Sequence, residues 1–238
     1  MNSRKIKAIL FDLDGTLRHH LPTGDEVFLD YLKSQNMDFP HEDKVRAAKW
    51  EHYYFANSPE IKEDTNAFKN DRNAFWVNFS KRRLSALGLT LSQSTELAPN
   101  VSAHMGEHYK PQVIVPEDAP LTLAKLKESG FTLGIVTNRE EPVHEELKTL
   151  NLDPFFDFSL AGGEVGSFKP ESRIFEHALE RAGTSAEETM YIGDNYFADV
   201  VGSLRAGLLP VLYDPIRLFP EAECAVIQTF SQLPELLD

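Results

Sequence analysis

The sequence predicts an α/β protein: a parallel sheet with helices on both faces, interrupted by an inserted all-α subdomain. Three observations carry this. The buried run AILF at residues 8–11 leads straight into Asp12-Leu13-Asp14-Gly15, residues 119–214 repeat a helix pattern followed by a short apolar strand, and a long stretch between them has helical patterns and no convincing strand. Strands alternating with helices at this spacing argue for parallel pairing. Strands buried on both faces read as continuous apolar runs, as AILF does.

After the first strand, VRAAKWEHYYF, DRNAFWVNFSKRRLSALG and TELAPNVSAHMGEHY read as aromatic-rich helices. A crossover between neighbouring parallel strands takes on the order of 30 residues, and the interval from Asp14 to Thr137 is several times longer. The excess reads as an insert over residues 19–111, which leaves 1–18 and 112–238 as the core domain. There, LTLAKLKESG is a helix closed at Gly130 and FTLGIVTN a strand. PESRIFEHALERAG is a helix between Pro170 and Gly183, followed by the strand TMYIGD. ADVVGSLRAG is a helix closed at Gly207, followed by LPVLYD. Proline near the start and glycine past the end is the expected helix asymmetry. Within the insert, Trp50, Tyr53, Tyr54, Phe75, Trp76 and Phe79 recur at helical spacing and read as its own core. Lys81, Arg82 and Arg83 are adjacent, splay around a helix, and read as a solvated face.

Composition narrows the class. Twenty-four basic against 37 acidic residues give a net charge of −13, which argues against nucleic acid as a general partner. An anionic ligand would need local positive charge from a metal ion, placed lysines or backbone amides. Cys224 is the sole cysteine, so neither an intramolecular disulfide nor a cysteine-based zinc site is possible, and a reducing compartment fits. The basic residues ahead of AILF precede a run too short for a signal peptide, and no window approaches a membrane span. The expectation is a cytoplasmic protein without a membrane partner, a monomer or a homodimer.

Residues two apart on a strand share a face, so Asp12 and Asp14 project together at the strand end, where ligands bind in open α/β sheets. Their repulsion is tolerable only with a cation between them or one of them protonated. An isolated D-x-D-G also suits a turn. The other strand ends shift the balance. IVTN ends in Thr137 and Asn138, YIGD ends in Asp194 with Asp199 five residues on, and GSFKP sets Lys169 before a helix. Singly, each has a plain role: a strand end, a turn, a helix N-terminal charge or a surface lysine. Together they bring a hydroxyl, an ammonium and four carboxylates to one sheet edge.

FDLDGT, IVTN, the lysine of FKP and GDNYFAD, in that order, resemble the four signature motifs of the haloacid dehalogenase superfamily, the aspartate-nucleophile phosphohydrolases. The resemblance covers residues 4–17 and 113–230 and implies a Rossmann-like core. In position and length, the insert resembles an α-helical C1-type cap domain. The resemblance implies a Mg²⁺-dependent phosphomonoesterase acting on a small phosphorylated metabolite through an aspartyl-phosphate. Asp12 would be the nucleophile. Asp14 would protonate the leaving oxygen, then take a proton from water, with its backbone carbonyl on the metal. Asp12, Asp14 and Asp194 would be the metal residues, Thr137 and Asn138 would hold phosphate oxygens, and Lys169 would bridge Asp12 and the phosphate. Asp199 would complete the catalytic set by orienting Lys169 or metal-bound water.

The second aspartate argues against a dehalogenase. A phosphomutase shares every core residue and stays as an alternative, and a catalytically idle binding module is the alternative of another class. After the first motif come Arg18, His19 and His20 where small or acidic residues are common. Arg18, and Arg139 directly after Asn138, are the candidate substrate contacts.

Overall fold

The computed structural model describes residues 6–237; Met1–Lys5, which hold Arg4 and Lys5 of the basic residues weighed against a signal peptide, and Asp238 lie outside the described residues. The chain divides into two compact units, one of Met1–His19 with Ile114–Asp238 and one of His20–Val113.

The chain opens with β1 (Ala8–Phe11) and β2 (His19–Leu21), followed by helices α1 (Gly24–Ser34), α2 (His41–Phe55), α3 (Pro59–Ala67), α4 (Arg72–Ala86) and α5 (Leu91–His108). Then come β3 (Gln112–Ile114), α6 (Ala119–Glu128), β4 (Thr132–Thr137), α7 (His144–Thr149), β5 (Phe158–Ala161), α8 (Gly162–Val165) and α9 (Ser172–Ala182). The last elements are β6 (Thr189–Gly193), a π-helical turn (Tyr196–Val200), α10 (Val201–Arg205), β7 (Leu209–Tyr213) and β8 (Ala225–Ile227).

The main sheet runs β5-β4-β1-β6-β7-β8, and every neighbouring pair is parallel. β1 lies between β4 and β6, with Phe11 opposite Ile135 on one side and Ile192 on the other. The strand order reverses at β1, which makes its carboxyl end the switch point where open α/β sheets bind ligands. Alternate residues of β1 serve opposite faces. Ile9 and Phe11 join Leu123 and Leu126 of α6 in one core cluster, whereas Leu10 joins Ile174, Phe175 and Ala178 of α9 in the other. Helices thus cover both faces, as the alternating pattern predicts.

Some elements escape the periodicity. β5 and β8 have four and three residues, too few to show a period. ADVVGSLRAG is not one regular helix, because a π-helical turn from Tyr196 precedes the short α10. His19–Leu21, in the stretch read as strandless, pairs with β3 in a separate two-stranded sheet.

The second unit is helical, with Phe28, Leu32, Leu84, Leu87 and Val101 in its hydrophobic core. Trp50, Tyr54 and Phe79 pack their rings 5.1–5.8 Å apart. Tyr54 and Phe79 are buried, as a core role requires, whereas Trp76 is 40% exposed. The solvated-face reading of Lys81–Arg83 is overturned for two of the three. Arg83 is 3% exposed, ion-paired with Asp25 and Glu51, and lies 4.0 Å over the Phe28 ring. Arg82 forks the buried Asp64, which also accepts a hydrogen bond from Tyr54 Oη. Splaying three neighbours around a helix turns one of them inward, and an arginine stem buries well once its head meets carboxylates. Among the described residues no helix is long and apolar enough to cross a membrane.

Candidate active site

The site stands at the carboxyl edge of the main sheet, within the α/β unit. Asp12 continues the β1 ladder through its N–H, which donates to Ile192 O at 2.8 Å. The chain then turns sharply, with Leu17 and Arg18 N–H groups donating to Leu13 O. Gly15 permits the turn at φ +92°, and a Cβ there would meet the Asp194 carboxylate at 2.5 Å. Gly193 serves the neighbouring strand end in the same way, since a Cβ there would overlap Asp199. Both glycines are required by carboxylates that crowd the backbone.

Lys169 is the cation of this crowd. The residue is 2% exposed, and its Nζ donates to Asp12 Oδ1 at 2.5 Å, Asp199 Oδ1 at 2.7 Å and Tyr191 Oη at 2.9 Å. Tyr191 donates its own hydroxyl proton to Val136 O. Burial alone would lower the Lys169 ammonium, but Asp12 and Asp199 outweigh it and hold its pKa well above the ordinary value. The loop that carries Lys169 is clamped by Asn138, whose side chain accepts from Lys169 N at 2.6 Å and donates to Lys169 O at 2.9 Å.

Three carboxylates surround this one ammonium. Asp12, Asp194 and Asp199 each offer an oxygen within 4.8 Å of the others. Thr16, fully buried, donates its hydroxyl between Asp194 Oδ1 at 3.0 Å and Asp12 Oδ2 at 3.3 Å, and accepts from Asp194 N. Asp199 sits in the π-helical turn and is fixed at both oxygens, by Lys169 and by Asn195 N–H at 2.9 Å. Burial pushes the Asp12 carboxyl up to about 7 despite Lys169. Burial and the charge of Asp12 raise Asp194 to about 7 as well, and burial raises Asp199. One lysine does not balance three clustered carboxylates, two buried and one half-buried.

Asp14 is placed differently. Its side chain points away from that cluster into a fork of Arg139, with Nε to Oδ2 and Nη2 to Oδ1 both at 2.7 Å, and it takes a further bond from Arg18 Nη1 at 2.9 Å. Burial would raise its carboxyl, but the two guanidinium groups win and hold it below the usual value. Glu146 of α7 closes the ring by pairing with both Arg139 and Arg18.

The structure therefore brings Asp12, Lys169, Asp194 and Asp199 together, and groups Asp14, Arg18 and Arg139 beside one another. Thr137 ends β4 with 1% exposure, opposite Ala161 of β5. His19 is tied to the loop, its Nε2 2.8 Å from Thr16 O and its ring edge-on to Tyr213. Sequence reasoning missed Thr16, Tyr191, Glu146 and the clamp made by the Asn138 side chain. Thr16 had a signal, as it lies inside FDLDGT, four residues from Asp12. The other three depend on neighbours remote in sequence.

A family model described as haloacid dehalogenase-like hydrolase matches residues 6–207. The ribulose-1,5-bisphosphate 5-phosphatase of Halopiger xanaduensis is 31% identical over 214 residues, which span 87% of this chain and 84% of that one. The pyrophosphatase PpaX of Bacillus mycoides is 30% identical over 204 residues, 85% of this chain and 81% of its own. A crystal structure of 2-haloacid dehalogenase from Pseudomonas syringae pv. Tomato matches with a TM-score of 0.56 and 28% identity over 98% of each chain. Order of motifs, strand order, the switch-point carboxylates and these matches agree: the chain belongs to the haloacid dehalogenase-like hydrolases.

Proposed function

We propose that this protein is a Mg²⁺-dependent phosphomonoesterase that hydrolyses a small phosphate ester through an aspartyl-phosphate on Asp12. The observation that carries the reading is a buried carboxylate at the switch point, hydrogen-bonded by a buried lysine and flanked by two more carboxylates. The relatives named for phosphatase and pyrophosphatase activity support chemistry at phosphorus. Asp14 supports it against dehalogenation, since an alkoxide leaving group needs a proton and a halide does not.

The donor set fits a hard divalent ion. It consists of oxygens alone, which suit Mg²⁺ over softer metals, and burial, with mutual repulsion, raises the Asp12 and Asp194 carboxyls, a state a cation would relieve. Asp12 and Asp194 would hold the ion, together with the Asp14 carbonyl oxygen that the resemblance implies. Bound there, it would neutralise the carboxylates and draw charge from the phosphoryl oxygens. Asp199, which accepts from the Lys169 ammonium at 2.7 Å, would hold that lysine in place.

The chain's own residues would then act in two steps. An Asp12 carboxylate oxygen attacks phosphorus as the bond to the leaving oxygen breaks, and Asp14 gives that oxygen a proton. Water then attacks the acyl-phosphate and Asp14 takes a proton back. Thr137 Oγ and the Asn138 N–H would hold equatorial oxygens, with Lys169 supplying charge to the transferring group. As found, Asp14 is an acceptor for two arginines, the state needed to take a proton; to give one, it has to leave that fork. The helical unit would serve as the cap.

A phosphate-release screen with Mg²⁺ over a broad ester panel, run beside Asp12→Asn, is the test. Release by the wild type and none by the variant is expected. No release from any ester would favour an idle binding module, and an active variant would remove Asp12 as the nucleophile.

A further inference from the structure

We propose that Arg18 and Arg139 form a seat for a second anionic group of the substrate, a carboxylate or phosphate a few bonds from the scissile ester, and that Glu146 fills this seat in the resting protein. The inference rests on the phosphatase reading and narrows its substrate class.

Arg139 follows Asn138 directly, so its Cα lies about 3.8 Å from that of the residue whose N–H would hold phosphate. Arg18 reaches the same place from the loop after β1. The ring they form alternates in sign: Asp14, Arg139, Glu146, Arg18. Its two halves are unequal. On the Asp14 side, each guanidinium donates well-directed hydrogen bonds of 2.7–2.9 Å. On the Glu146 side, Arg139 donates to both Glu146 oxygens, but Arg18 Nε, 2.5 Å from Glu146 Oε1, is buried and donates no hydrogen bond.

A buried donor left unmade is costly. Glu146 thus answers the charge of Arg18 without answering its geometry, because its carboxylate is tethered to the short helix α7. An untethered carboxylate or phosphate could align with Nε, and the planar guanidinium fork is suited to such a group. Arg139 is 31%, Glu146 26% and Asp14 40% exposed at the side chain, so the ring meets solvent and its carboxylates are open to exchange; the unmet Arg18 Nε singles out Glu146 as the one displaced. The protein also has reason to need the seat. At −13 overall and with four aspartates at the site, it repels anions, and an ester with two anionic groups would be repelled most without paired arginines.

The test compares two non-hydrolysable ligands by titration calorimetry in Mg²⁺: phosphonoacetate, which carries a carboxylate beside the phosphonate, and methylphosphonate, which does not. In Glu146→Gln the preference for phosphonoacetate should rise about tenfold, and in Arg18→Gln it should fall about tenfold, the scale of one charge-assisted hydrogen bond. An affinity ratio equal in wild type and both variants would overturn the seat, as would Glu146→Gln weakening both ligands alike, which a merely structural glutamate predicts. Phenyl phosphate hydrolysis by the wild type is measured in parallel. No release from it or from any ester of the panel, those with a second anionic group included, would strike the phosphatase reading, whereas release with an unchanged ratio would strike the seat alone.

Discussion

The α/β unit buries Lys169 and the helical unit buries Arg83, two cations of similar exposure held in opposite ways. Lys169 meets Asp12 and Asp199, whose side chains are themselves 8% and 1% exposed, with Asp194 beside them. Arg83 meets Asp25 and Glu51, 50% and 29% exposed, and rests on an aromatic ring. Water reaches the carboxylates around Arg83, although burial raises Glu51 and Arg83 Nε donates no hydrogen bond. Around Lys169, Asp12 and Asp199 are withdrawn from solvent, and with the half-buried Asp194 they crowd one ammonium. The contrast separates a cation that ties helices together from one that leaves its surroundings short of positive charge. Uncompensated, perturbed carboxylates in a cluster are the mark of a site built for chemistry.

The largest expected effect comes from Asp12→Asn. Loss of the anionic nucleophile should cut phosphate release by on the order of 10³-fold or more, read by single-turnover assay. Thermal stability should hold or improve, because one of three crowded charges is gone.

Lys169→Met should cost about 10²–10³ in kcat through lost transition-state charge. It should also destabilise by roughly 3–5 kcal/mol, because the buried carboxylates lose their partner. Arg83→Met sharpens the comparison, with an expected loss of ~3 kcal/mol in urea unfolding and a kcat far less affected than that of Lys169→Met. Equal losses of kcat in the two variants, measured where both are folded, would erase the distinction between the two cations.

Metal dependence of stability should differ with pH. Folding raises Asp12 and Asp194 from 3.8 to about 7, so between these values the folded chain holds protons that the unfolded chain has released. Without metal, their contribution makes stability fall as pH rises from about 4 to about 7, with the penalty fully present above the folded value and absent below the unfolded one. Mg²⁺ favours the ionised carboxylates, so the Tm gain it gives should grow from about pH 5 to about pH 8, to a few degrees. A gain that is constant with pH would place the ion elsewhere. The smallest effect is expected from Glu51→Gln. Arg83 keeps Asp25, and Glu51 is partly solvated, so about 1 kcal/mol or less should be lost.

Much of this site was legible because its residues fall at strand ends, and strand ends can be read from short-range pattern. β1, β4 and β6 show as apolar runs, and each run leads directly to a polar group of the site: Asp12, Thr137 with Asn138, and Asp194. Lys169 and Asp199 were legible by order along the chain, through the motif resemblance. The partners of these side chains were not. Asn138 was expected to face phosphate through its N–H, and no local pattern indicates that its amide also clamps the Lys169 loop. Arg83 looked like its neighbours Lys81 and Arg82, and only Asp25, 58 residues away, and the ring of Phe28 explain its burial. Glu146 carried no signal at all.

Periodicity, turn residues and motif order by themselves determined the parallel sheet, the helical insert and the aspartates at the sheet edge, because those properties depend on residues a few positions apart. Only the tertiary structure decided which charges meet: Lys169 with Asp12 across 157 residues, and Arg139 with Asp14 across 125. The reason is that a charge's partner and pKa depend on distance and burial in space, neither of which is encoded in local spacing.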